Sequence, residues 1–331
     1  MTKTRRTTRT ESLNALAPRR LKGSETLILW RIVRENVNKG SPHARVGRGD
    51  FTMLESSREI INRAIVDYQP YAIVIMFSGG HDSLAAYHIA RLLNVPLTHF
   101  LHGITGTGIK ETTTFARKIG ERSGLIYLEA NAKNAYEEYV MRKGFFGIGI
   151  QAHEFAYHIL KRTHFRHQLS KYIRQGRKDR KILLINGARK QESKNRKLSM
   201  INPIKIDGPN IWVNIINDLL AIERNEFLLD YERNPVYDIL HRSGECICGT
   251  MQNQETRKEV TYWYPYWGGW LDDLEKRACE HGFCWKWGED LPPAIRAQKK
   301  FERELSAGQL FMPMCQSCVA RSDEQISQTS D

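Results

Sequence analysis

At 331 residues, with 41% hydrophobic and 26% charged side chains, the chain can bury a full core and build one large domain or two. No apolar run approaches the ~20 residues of a membrane helix, and no apolar segment follows the basic start MTKTRRTTRT, so a cytoplasmic protein without a membrane span or secretory signal is expected. A formal net charge of +13 suits a polyanionic partner such as nucleic acid, a nucleotide substrate, or a plain solvated basic surface.

Residues 1–24, rich in Arg, Lys and Thr, read as a basic arm. A helix over Glu25–Glu35, a Gly/Pro-rich linker over Asn38–Asp50 and an amphipathic helix near Met53–Val66 follow. Tyr71–Phe77 is an uninterrupted apolar run ending at a glycine pair, which predicts a buried parallel strand. Ser78-Gly79-Gly80-His81-Asp82-Ser83 then turns into a helix marked by Leu84, Ala85, Ile89, Leu92 and Leu93. Strand, glycine turn and helix start together make an anion site, because the glycines admit a phosphate and the first helical N–H groups point at it. Ser78 and Ser83 add hydroxyls, and Asp82 can hold a metal ion or orient a leaving group. His81 reads as a spectator.

Leu97–His102 is a second strand, and the glycine-dense stretch from His102 to Gly108 is expected to face a ligand. A helix from Glu111 to about Ser123 and a strand over Leu125–Glu129 continue the alternation that specifies a doubly wound parallel sheet. Residues 135–175 are mainly helical and carry His153, His158, His164 and His167, whose spacing makes no tight metal set. Lys181–Asn186 gives a further strand, followed by Gly187, Arg189, Glu192, Ser193 and Arg196. Arg189 and Arg196 would then lie at the edge that carries the glycine turn, where planar guanidinium groups suit phosphate or sulfate.

Four segments, in order, resemble the phosphoadenosine-phosphosulfate (PAPS) reductase family. They are SGGHDS, the Thr105-Gly106…Glu111-Thr112 segment, Gly187-x-Arg189-x-x-Glu192-Ser193-x-x-Arg196, and Asn234-Pro235-x-Tyr237 through Arg242-Ser243-Gly244-Glu245-Cys246. The SGGxDS form is that of the PP-loop ATP pyrophosphatases, so the resemblance implies a Rossmann-like adenine nucleotide alpha-hydrolase fold. It also implies ATP with Mg²⁺ on Ser78, Gly79 and Gly80, with Asp82 and Ser83 catalytic. Thr105, Gly106, Glu111, Arg189, Glu192, Ser193 and Arg196 would bind the nucleotide. Ile104 stands where the family usually has Asp, and the terminal ECGLH segment of the sulfonucleotide reductases is missing. The chain is more similar to the DndC-like branch of DNA phosphorothioation systems. That branch implies adenylation of an acceptor for sulfur transfer, on DNA rather than tRNA, with a cysteine desulfurase or another sulfur donor. A sulfonucleotide reductase with an unusual thiol, and a non-catalytic nucleic-acid-binding subunit, are the alternatives.

All six cysteines follow residue 245. Cys246-x-Cys248 and Cys315-x-x-Cys318 make a four-thiolate site that suits zinc or an iron–sulfur cluster, and the resemblance favours [4Fe–4S]. Cys279 and Cys284 are reserve ligands. The aromatic stretch from Tyr262 to Trp270 reads first as local core and second as a stacking or shielding surface. These features divide the chain into a basic arm and helix (1–49), a PP-loop domain (50–230) and a small helical cysteine-bearing region (231–331).

Overall fold

The computed structural model describes residues 48–192 and 201–298. The predicted N-terminal helix, the basic arm, Ser193, Arg196, Cys315 and Cys318 lie outside them. The first described helix, α1 (Arg48–Tyr68), begins inside the stretch expected to be linker.

A six-stranded sheet follows, built from β1 (Ala72–Phe77), β2 (His99–Ile104), β3 (Ile126–Asn131), β4 (Ile182–Asn186), β5 (Ile204–Asp207) and β6 (Asn210–Asn214). Its order is β3-β2-β1-β4-β6-β5, all parallel except the β5 edge. This is the mixed α/β, doubly wound class expected from the alternation of strands and helices. The intervening helices are α2 (His81–Leu92) after β1, α3 (Lys110–Arg122) after β2 and α4 (Ala135–Lys143) after β3.

β1 is central, and every residue in it is buried. Its alternating side chains feed two cores, as a period of two requires. Ile73, Ile75 and Phe77 pack with Leu84, Ile89 and Phe115 on one face; Ala72, Val74 and Met76 pack with Leu101, Leu169 and Leu184 on the other. Burying each large aliphatic or aromatic side chain contributes roughly 1.5–3 kcal/mol, so the strand is fixed from both sides.

The crossover from β3 to β4 carries one long rod: α5 (Ile150–Tyr157), a π turn (His158–Arg162), α6 (Thr163–Gln168) and a second π turn (Leu169–Ile173). Phe165 on this rod lies over Gly103 of β2, where a Cβ would come within 2.6 Å of its ring. After β6, α7 (Ala221–Phe227) returns to α2, and α8 (Pro235–Leu240), α9 (Gln254–Trp263) and α10 (Pro265–Glu280) form the C-terminal region.

That region shares a core with the sheet domain: Trp267, Leu271, Leu274 and Trp287 pack with Ile109, Tyr136, Val140 and Phe145. The aromatic stretch divides accordingly. Tyr264 and Trp267 are core, while Tyr262 and Trp263 are exposed. Among the described residues no helix is long and apolar enough to cross a membrane.

Candidate nucleotide site at the end of β1

The strand order reverses between β1 and β4, so their C-terminal ends open a crevice of the sort in which parallel sheets bind ligands. Ser78–Ser83 occupies that position. Gly79 adopts φ +75°, a conformation that side chains resist, and a Cβ there would lie 2.8 Å from Thr112. The serines fold the turn upon itself. Ser83 Oγ donates to the Gly80 carbonyl at 2.9 Å and lies 3.1 Å from Ser78 Oγ, while the Ser78 N–H donates to Ser83 Oγ at 3.2 Å. Ser83 is therefore buried in the first turn of α2, not on a surface loop. The helical ladder opens with Leu84 N–H donating to the Gly80 carbonyl, which leaves the N–H groups of His81, Asp82 and Ser83 ahead of it.

Segments from far along the chain brace this turn. Asn234 Nδ2 donates to the Gly79 carbonyl at 3.0 Å and lies 3.1 Å from Thr112 Oγ1. Tyr237 stacks on His81 with centroids 3.6 Å apart. His81 is thus a buried packing residue; burial and the Arg224 charge lower its pKa. Gly187, after β4, touches the start of α2 so closely that a Cβ would stand 2.5 Å from the Asp82 carbonyl carbon.

Arg189 Nε donates to Asp82 Oδ1 at 2.6 Å, and Arg224 Nη1 donates to the same oxygen at 2.6 Å. Glu192 accepts the Arg189 backbone N–H at 2.8 Å. Arg224 lay outside the sequence reading, because no motif contains it. Its only sequence signal is a cation in a short helix that starts a few residues after the last strand.

The other expected residues are more distant in role. Thr105 is buried and donates to the Glu245 carbonyl at 2.7 Å, so its hydroxyl docks the cysteine loop. Gly106 has φ +78°, with its Cβ position 2.7 Å from the Lys133 carbonyl oxygen. Glu111 is exposed and accepts from Tyr266 Oη at 2.6 Å.

Residues 243–250 run beside the β2–α3 loop. The Ile109 N–H donates to the Gly244 carbonyl at 2.8 Å, and the Ile247 N–H donates to Thr107 Oγ1 at 3.1 Å. Cys246 is half-buried and Cys248 buried, both as free thiols. A hydrogen bond from Cys246 lowers the Cys248 pKa, with help from His153 and Thr250 against burial; donating it, and burial, raise Cys246.

Lys161, on the first π turn, pairs with Glu245 at 2.5 Å. Burial works against its charge, but Glu245 and the Cys246 sulfur outweigh that and hold its pKa above the ordinary lysine value. Two buried acceptors lie nearby without partners, His102 Nε2 and Glu245 Oε1.

Two adjacent thiols, one of them favoured as thiolate, fit half of a four-thiolate metal site. The other two cysteines expected for such a site, Cys315 and Cys318, lie outside the described residues. Among those residues, no three His, Cys, Asp or Glu side chains converge as metal ligands. Cys279 and Cys284 are joined in a disulfide, which removes both reserve ligands as free thiols here.

The sheet from β1, the glycine turn and both arginines fall within one recognisable unit. Residues 72–224 match the phosphoadenosine phosphosulfate reductase domain. The match ends at Arg224 and leaves the cysteine loop outside it. No curated protein matches the chain.

Among solved structures, the chain is similar to a PAPS reductase from Candida auris in its phosphate complex, with 12% identity, a TM-score of 0.40, and coverage of 59% of this chain and 93% of that one. It is also similar to NH3-dependent NAD synthetase from Campylobacter jejuni, with 17% identity, a TM-score of 0.36, and coverage of 73% and 98%. A third is FMN adenylyltransferase from Candida glabrata bound to FMN and an ATP analogue, with 12% identity, a TM-score of 0.37, and coverage of 65% and 69%.

Proposed function

We propose that this chain is a PP-loop ATP pyrophosphatase that adenylates an acceptor for sulfur transfer on nucleic acid, as in the DndC-like branch of DNA phosphorothioation systems. The observation that carries the reading is the seating of Ser78–Ser83 at the β1/β4 reversal, with the N–H groups that open α2 and two buried arginines beside it. Such a place suits the β,γ-phosphates of ATP. An acceptor oxygen attacks the α-phosphorus, the bond to the β-phosphate oxygen breaks, and pyrophosphate leaves. Mg²⁺ would neutralise charge on the phosphates, with Asp82 as its nearest carboxylate on the loop. A sulfur nucleophile at the sulfide level then displaces AMP from the activated acceptor. A cysteine desulfurase is one source of that sulfur, its persulfide being brought to the sulfide level by a thiol reductant.

Cys246, Cys248, Cys315 and Cys318 would hold a [4Fe–4S] cluster, or zinc in its place; a bound cluster would supply electron transfer and a site for sulfur. Lys161 beside Cys246 would offset the negative charge of the thiolates.

The crossover rod supports a nucleic-acid partner. His158, Arg162, Arg166 and His167 are exposed along it, with Phe155, Tyr157 and Tyr172 between or beside them, a mixture that suits phosphates and unstacked bases. The reductase-domain match favours a second reading, in which a sulfonucleotide occupies the same crevice.

Pyrophosphate release from ATP, measured with duplex DNA, tRNA or sulfonucleotide added in turn, tests these readings. Release stimulated by DNA is expected. Stimulation by tRNA alone would move the acceptor, and sulfonucleotide reduction without ATP would replace the proposal with the second reading.

A further inference from the structure

Two buried arginines converge on one oxygen of the phosphate turn's own carboxylate. Arg189 and Arg224 are each 7% exposed in the side chain, and Asp82, at 26%, lies nearer the mouth of the crevice. They reach Asp82 from 107 and 142 residues away, one after β4 and one from α7. Two guanidinium groups share one carboxylate oxygen, next to the positive end of α2, while the nearby Glu192 carboxylate accepts the Arg189 backbone N–H. A buried charge without a partner is costly, so one arginine would be enough if a salt bridge were the purpose.

Each guanidinium is also held by neutral acceptors. Asn225 Oδ1 accepts Arg224 Nε and Nη2 at 3.1 and 2.7 Å, and the Leu219 carbonyl accepts Arg189 Nη1 at 3.4 Å. These contacts fix the forks in position without neutralising them, an arrangement that suits an incoming anion with several oxygens.

We infer that Arg189 and Arg224 form a seat for the pyrophosphate moiety of the nucleotide, and that Asp82 fills this seat as a stand-in until the nucleotide displaces it. The exchange rests on the ATP reading above. No bond is made or broken in it: one anion replaces another, and the freed carboxylate becomes available to a divalent cation. Arg224 is thereby a phosphate-binding residue and Asp82 a self-occupying gate.

Calorimetric titration with magnesium-free inorganic pyrophosphate tests the exchange, with magnesium-ATP titrated in parallel. Asp82→Asn removes the competing charge, so pyrophosphate should bind about tenfold more tightly than to wild type, while Arg224→Gln should weaken it by about tenfold or more. The double variant should lose the gain seen in Asp82→Asn. Arg224→Lys guards against misfolding: it keeps the charge and should keep a single cooperative thermal transition at a modestly lower midpoint, yet still bind pyrophosphate more weakly because the fork is gone.

Pyrophosphate affinity unchanged or reduced in Asp82→Asn, in a protein whose wild type binds magnesium-ATP, overturns the exchange and leaves the ATP reading standing. Wild-type affinity in Arg224→Lys overturns the part assigned to Arg224. Absence of both ATP and pyrophosphate binding in the wild type overturns both readings.

Discussion

The phosphate turn and the cysteine loop lie at the same edge of the sheet but are held by opposite means. The turn is closed by bonds within five residues, Ser78 to Ser83 and Ser83 to Gly80, and is then braced from outside. The cysteine loop has a few local bonds, such as Cys248 Sγ to Thr250 Oγ1 at 3.2 Å, but is held chiefly from afar. Thr105 holds Glu245 and Thr107 holds Ile247, each across 140 residues, while Tyr136 Oη donates to the Cys248 carbonyl at 3.0 Å and Trp287 Nε1 to the Ile247 carbonyl at 3.1 Å. A local motif can thus write the first site in six letters. The second is held from three distant segments, the β2–α3 loop, Tyr136 and Trp287.

Two glycines separate the regions most sharply. In Gly187→Ala the new methyl would lie 2.5–2.6 Å from the Asp82 carbonyl and the Ser83 nitrogen; in Gly108→Ala it would lie 2.3 Å from the Glu245 carbonyl oxygen. Both clashes are with backbone and should cost about 1–3 kcal/mol in thermal or denaturant melts. Their functional signatures should be complementary. Gly187→Ala should lose nucleotide binding and keep Cys246 and Cys248 shielded from a thiol reagent, as read by peptide mass spectrometry; Gly108→Ala should do the reverse. Coupled loss of both properties in either variant would show that the two regions are one unit.

The smallest effect separates them by pH. His88 on α2 stacks on Tyr231 at 3.8 Å, and burial, with the Arg91 charge, pulls its pKa down to about 4. Below pH 6.5 the unfolded chain therefore binds the proton that the folded chain refuses, so stability present above that pH is lost on acidification toward 4. Between pH 7.5 and 5.5 the loss from this residue should be about 1 kcal/mol in denaturant midpoints, and His88→Gln should flatten that part of the acid limb. A limb of unchanged slope would remove His88 from the account.

The sheet was legible because its strands are apolar runs ending in glycines and separated by helical periods. β1, β2, β3 and β4 lie within a few residues of their expected bounds. The β5–β6 hairpin was missed although its signal is present: Ile204, Ile206 and Ile211 alternate around Asp207-Gly208, and Gly208 takes φ +57°. Ser78, Gly79, Gly80, Asp82, Ser83, Arg189 and Glu192 do assemble at one crevice, because the motif puts them all at strand ends.

Arg224 could not be read, since a cation in the short helix after the last strand does not say that its side chain crosses to another strand's loop. Thr105 and Glu111 were legible as members of a segment, but not in their contacts. Those contacts depend on Glu245 and Tyr266, whose arrival is a tertiary event.

The central claim is that Ser78–Ser83 seats ATP for cleavage between the α- and β-phosphates, and phosphorus NMR of the products tests it most directly. With magnesium and an acceptor nucleic acid, the account predicts pyrophosphate and AMP or adenylated acceptor in equal amounts, with no ADP. ADP with inorganic phosphate, or intact ATP with every acceptor, would contradict it.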